Sequence, residues 1–204
     1  MWSDVDKPTS ADDLRFVNEL LLGEHSHLIH VDTNDDIRSD GKDMVIGLIP
    51  NKTNTLGSRG SSVGHWFVFE KGKKTSLNTL NVEGVRKPEK TTFVWDAAGI
   101  PVHNRNFPIS LSDDFSSERV HVAAGNQIQS PSSSTCGQYC SFYAYARLTG
   151  HPSLMSLIKG LKMVKRDLMD PISQSPQAQQ NGRDNDKKLM RVLSRVARAR
   201  GYQR

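Results

Sequence analysis

Apolar runs of strand length occupy only the middle of this chain, and helical periodicity only its two ends. "DMVIGLIP" (43–50), "HWFVFE" (65–70), "TTFVWD" (91–96) and "RVHVAA" (119–124) are short, rich in β-branched and aromatic residues, and separated by polar or Gly-containing segments. "NQIQ" (126–129) is a shorter candidate. Ahead of them, "TSADDLRFVNELLLG" sets Leu14, Val17, Leu20 and Leu21 on one stripe between capping residues and Gly23, a helix with both ends marked. Behind them, "CGQYCSFYAYARLTG" and "PSLMSLIKGLKMVKRDL" read as helices, and so does the C-terminal stretch carrying Leu189, Leu193, Val196 and Ala197. Alternating elements would predict βαβ units. Grouped strands predict an α+β fold, a small central mixed sheet flanked by N- and C-terminal helices. At 204 residues and 36% hydrophobic content, the chain is expected to form a single domain over 1–204, with Pro-, Gln- and Asn-rich residues 171–186 as an internal linker to the basic C-terminal helix.

No apolar run approaches the roughly 18 residues of a membrane span, and "MWSDVDKPTS" lacks the basic-then-apolar order of a secretory signal, so a soluble, unsecreted protein is expected. Two cysteines make neither a disulfide framework nor a structural zinc site, and reduced thiols follow. Charge is concentrated at the end: residues 183–204 carry eight Lys or Arg against two Asp, whereas the whole chain is only +5. Lys159, Lys162 and Lys165 form one basic stripe, and Lys187, Arg191, Arg195 and Arg198 another. Solvated helix faces and a polyanion-binding surface explain such stripes equally well.

Both cysteines lie in "IQSPSSSTCGQYC", at the switch from strands to helix. Cys136 falls in the first helical turn, where unpaired N–H groups and the helix dipole favour a thiolate. Cys140, one turn on, faces the packing. A nucleophile needs a base, and among seven histidines His65 is the best placed, opening a strand after a Gly-rich loop. Asp96 closes "TTFVWD" and is suited to orient its ring. Gln129 is suited to add a side-chain amide to an oxyanion hole beside the Cys136 N–H. "EHSHLIH", with His25, His27 and His30, lacks a ligand set for zinc and reads as a polar surface turn; no metal is expected.

The order His65-Trp66, Asp96 to Gly99, and Gln129-x-Pro131 to Cys136-Gly137 resembles the adenovirus endopeptidase (adenain) family. So does the C-terminal "SQSPQAQQNGRDNDKKLMRVLSRVARARGY". Proteases of ubiquitin-like modifiers share the catalytic pattern but not the C-terminal part. The resemblance implies a cysteine endopeptidase that cleaves viral precursor proteins at Gly-containing sites during virion maturation, in the host nucleus and virion. In that family pattern Cys136 attacks, His65 transfers the proton, Asp96 holds the ring, and Gln129 with the Cys136 N–H stabilises the oxyanion. Trp66 and Gly137 would line a narrow glycine channel.

The likeness also implies a monomer that uses no metal or organic cofactor and is activated by DNA and a short viral peptide. DNA would bind through Lys159, Lys162, Lys165, Arg191, Arg195 and Arg198. The chain departs from the family in three places. The segment between His65 and Asp96 is longer and contains Glu83, a rival acid; the acid is Asp where the family often has Glu; and no cysteine near Val120 could tether the peptide by a disulfide. Two other functions fit parts of the sequence: a ubiquitin/SUMO-like-modifier protease or isopeptidase, and a non-enzymatic DNA-binding virion core protein.

Overall fold

The computed structural model describes residues 9–50, 64–72, 91–97, 109–115, 119–122, 128–130, 133–149 and 176–202. The first helix, α1 (Ala11–Leu22), begins with a reciprocal capping box. Ser10 Oγ accepts the Asp13 N–H at 3.1 Å, and Asp13 Oδ2 accepts the Ser10 N–H at 3.0 Å. Its apolar stripe of Leu14, Val17 and Leu21 is buried. Gly23 ends it at φ 57° and ψ −124°, a positive-φ conformation open to glycine because it has no Cβ. Arg200, from the far end of the chain, donates to the Glu19 and Leu21 carbonyls and ties the C-terminus to this helix end.

A 3-10 turn (Gly23–Leu28) leads into β1 (Ile29–Asp32), followed by β2 (Met44–Ile49), β3 (His65–Lys71), β4 (Thr91–Trp95) and β5 (Arg119–Val122). They form one five-stranded sheet in chain order. The inner pairs β2–β3 and β3–β4 are antiparallel, and the outer pairs β1–β2 and β4–β5 parallel. The sheet is therefore mixed and lies between the helices in sequence, as α+β requires. The polar turn expected at "EHSHLIH" holds only to Leu28, because His30 falls in β1. In β1 Ile29 and Val31 are buried while His30 is only half-buried, an alternation too short to stand out from its polar surroundings. Ile128 and Gln129, in the candidate strand "NQIQ", are not in a strand.

Two apolar layers cover the sheet. On one side, Ile37, Val45, Phe67, Phe69, Val94 and Phe115 pack together. On the other, Trp66 and Val68 meet α1, α2 (Cys136–Thr149) and the C-terminal helix α3 (Pro176–Ala199). One stripe of α2 docks on this side: Cys140 Sγ donates to the Trp66 carbonyl at 3.3 Å, Tyr143 stacks on Trp95 with centroids 4.2 Å apart, and Arg147 pairs with both Glu70 oxygens.

The expected linker 171–186 requires correction. Helix α3 starts at Pro176, so most of that segment is helical; 171–175 lie outside the described residues. Proline suits a first helical position, where its missing N–H has no partner to lose. The helix went unread in the sequence because its buried face there consists of Gly182, Asn185 and Asp186, which give no apolar periodicity. The second basic helix expected at 152–168 lies outside the described residues.

Candidate active site

Antiparallel pairing puts the start of β3 beside the end of β4, and this brings His65 to Asp96. The register joins Val68 to Trp95, so Asp96 falls opposite Phe67, diagonal to His65 on the same pleated face. Gly64 allows the approach to β2, since a Cβ there would stand 2.5 Å from the Ile49 carbonyl oxygen. His65 and Asp96 are 8% and 2% exposed. The His65 Nε2–H donates to Asp96 Oδ1, which leaves Nδ1 as the ring nitrogen for the hydrogen bond with Cys136. The ring edge packs on Phe67, centroids 4.8 Å apart. His65 is thus held between an acid and a thiol.

Cys136 is the first residue of α2 and 7% exposed. Burial lowers the His65 pKa, but negative charge on Cys136 and Asp96, with hydrogen bonds to both, outweighs it and raises the value from 6.5 to about 10. The arrangement favours an imidazolium beside a sulfur nucleophile at a helix N-terminus. Cys140 is fully buried, and burial pushes its thiol well up; it serves packing.

Gln129 is buried in the 128–130 segment, whose Ile128 and Gln129 N–H groups both bond the Ala97 carbonyl, at 2.9 and 3.1 Å. Its Nε2 donates to the Ser133 carbonyl at 2.9 Å. The same nitrogen lies 3.5 Å from Ser133 Oγ, so Ser133 anchors the amide. The opening turn of α2 supplies further N–H donors, beginning with Cys136.

Trp66 and Gly137 are expected at a glycine channel, yet the contacts described for them are packing contacts. The Trp66 Nε1–H donates to the Thr9 carbonyl at 3.1 Å, and the residue is 3% exposed. A Cβ on Gly137 would lie 2.8 Å from Leu14 and 3.2 Å from Trp66, so glycine lets α2 close on α1. Arg191, Arg195 and Arg198 are exposed along α3, away from buried Leu189, Leu193 and Ala197. Lys159, Lys162, Lys165, Glu83, Gly99 and Pro131 lie outside the described residues, and the side chain of Val120 is not described. Among the described residues no cluster of His, Cys, Asp or Glu could hold a metal.

Sequence reasoning missed Thr135, Asn185 and Asp186, buried polar residues around the loop before Cys136. The signal available was a Gly, an Asn and an Asp at helical spacing in 182–186. No family model matches the chain, and no curated protein matches it in sequence.

A reaction in which the His65 imidazolium returns a proton should lose rate as pH rises through about 10. Asp96→Asn removes one of the two charges that raise the His65 pKa, so this alkaline limb should move down towards 6.5, with a rate loss of about 10- to 1,000-fold. The pH profile of kcat/KM on a glycine-containing peptide measures both. A limb that stays in place would show that Asp96 does not act on the ring.

Proposed function

We propose that this chain is a cysteine endopeptidase of the adenain type. The observation that carries this reading is the imidazole of His65, hydrogen-bonded on one nitrogen to Asp96 and on the other side to Cys136 at the first position of α2. In this reading Cys136 Sγ attacks the scissile carbonyl carbon, and the carbonyl π electrons move to oxygen. The Cys136 N–H and the Gln129 amide stabilise that oxyanion. As the C–N bond breaks, His65 gives its proton to the leaving amine. It then takes a proton from the water that hydrolyses the thioester, and the product acid leaves Cys136 free.

The adenain-like order of motifs favours viral precursor proteins as substrates, cut at Gly-containing junctions in the host nucleus or virion. A protease of ubiquitin-like modifiers would use the same three residues, and its substrates distinguish it. The joined site supports catalysis over a purely DNA-binding role, in which nothing would require His65, Asp96 and Cys136 to meet.

Cys136→Ala should abolish cleavage of viral precursor proteins, followed by mass spectrometry, and labelling by an electrophilic peptide ending in Gly-Gly, with the fold kept. Cys140→Ala should keep most activity. Equal behaviour of the two variants, or modification elsewhere, would refute the assignment. The exposed Arg191, Arg195 and Arg198 support sequence-independent DNA binding. With Lys159 and Lys162 contributing as well, neutralising about four to six phosphates would give a log–log salt slope of roughly −4 to −5. Charge reversal at Arg191 and Arg195 should flatten it; an unchanged slope would leave the stripe a solvated face.

A further inference from the structure

Asp186 is 1% exposed on α3, against the loop that leads into Cys136. Its Oδ1 accepts hydrogen bonds from Tyr139 Oη at 3.0 Å and Thr135 Oγ1 at 3.2 Å. Thr135 directly precedes Cys136, and its carbonyl accepts the Tyr139 N–H at 3.1 Å, so it caps the nucleophile's helix. Thr135 Oγ1 is also 2.9 Å from Ser133 Oγ, and the Ser133 carbonyl holds the Gln129 amide. A hydrogen-bonded chain thus runs from Asp186 through Thr135 and Ser133 to Gln129.

The same helix face grips the loop twice more. Asn185 Nδ2 donates to the Ile128 carbonyl at 2.8 Å, and a Cβ on Gly182 would stand 2.6 Å from Ser130 Cα. Burial raises the Asp186 pKa, against the opposing effect of the hydrogen bonds from Tyr139 and Thr135. Burial, then the Asp186 charge, raises that of Tyr139, which keeps its hydroxyl a donor. A buried carboxylate is a poor source of stability, since well-packed apolar residues often do as well or better. Its advantage is direction: one acceptor oxygen orients two hydroxyls on two successive turns.

We propose that Asp186 is a positioning residue for the oxyanion hole, holding residues 133–135, and through Ser133 the Gln129 side chain, so that the Cys136 N–H faces the developing charge. The inference rests on the cysteine-hydrolase reading above. The His65–Asp96 pair is set by the register of β3 and β4, and its link to this loop runs through the Ala97 carbonyl rather than through Asp186, so loosening the α3 side of the loop should impair acyl transfer more than thiol reactivity.

Two rates on the full chain separate these effects: turnover of a Gly-Gly peptide, and alkylation of Cys136 by iodoacetamide, which forms no oxyanion. Asp186→Ala should lower kcat by about 10- to 100-fold, with KM and alkylation each within about threefold of the parent. Asp186→Asn keeps an acceptor oxygen and should retain most of the activity. A parental kcat for Asp186→Ala, or alkylation falling in step with kcat, would overturn the proposal. If Asp186→Ala does not fold, Tyr139→Phe and Thr135→Val each remove one donor and should give the same split at smaller size; parental kcat in both would overturn it equally. A parent chain that neither cleaves peptide nor is alkylated at Cys136 would overturn the hydrolase reading itself.

Discussion

A charged imidazole buried to 8% exposure is tenable only beside negative charge, and the arrangement of this molecule depends on meeting that condition at His65. Removing a single ion from water costs on the order of several kcal/mol, so an isolated imidazolium there would lose its proton. Asp96 on one side and Cys136 on the other reverse the balance and hold the proton on the ring. In the proposed reaction the same ring returns this proton to the leaving amine. Structural compensation and chemical competence therefore share the same two partners.

Each partner is brought in by a different kind of constraint. Asp96 arrives through strand register, because β4 runs antiparallel to β3 and ends opposite Val68, which sets the next residue, Asp96, diagonal to His65. Cys136 arrives through helix docking: Cys140, Tyr143 and Arg147 seat α2 on β3 and β4, and Gly137 lets its first turn close on α1. The loop in front of Cys136 is clamped between the Ala97 carbonyl and α3. The C-terminal helix thus supports the site with its polar inner face while its exposed outer face is basic.

His65, Asp96 and Cys136 were legible in the sequence because each stands at the end of an element with its own local signal, a Gly-rich loop, an apolar strand or a Ser-rich helix start. Strands β2 to β5 and α1 were legible through periodicity and caps. Strand β1 was hidden by its polar surroundings, with His30 and Asp32 inside it and histidines before it. The start of α3 was hidden for a different reason: Asn185 and Asp186 are buried by hydrogen bonding, and hydropathy records no such burial. Trp66 and Gly137 illustrate a third limit. Their partners, Thr9 and Leu14, are distant in sequence, and only the docking of α1 reveals the packing they share.

The ionisation of His65 reports on both of its partners at once. In ¹⁵N-labelled protein, its ring nitrogens, assigned by their loss in His65→Gln, can be titrated by NMR in the parent chain and in Cys136→Ala. An imidazole paired on both sides should carry protons on both nitrogens through pH 8 in the parent, with loss only as pH approaches about 10, and should have a lower pKa once the Cys136 charge is removed. A His65 that titrates near its ordinary 6.5 in both proteins would contradict the paired site.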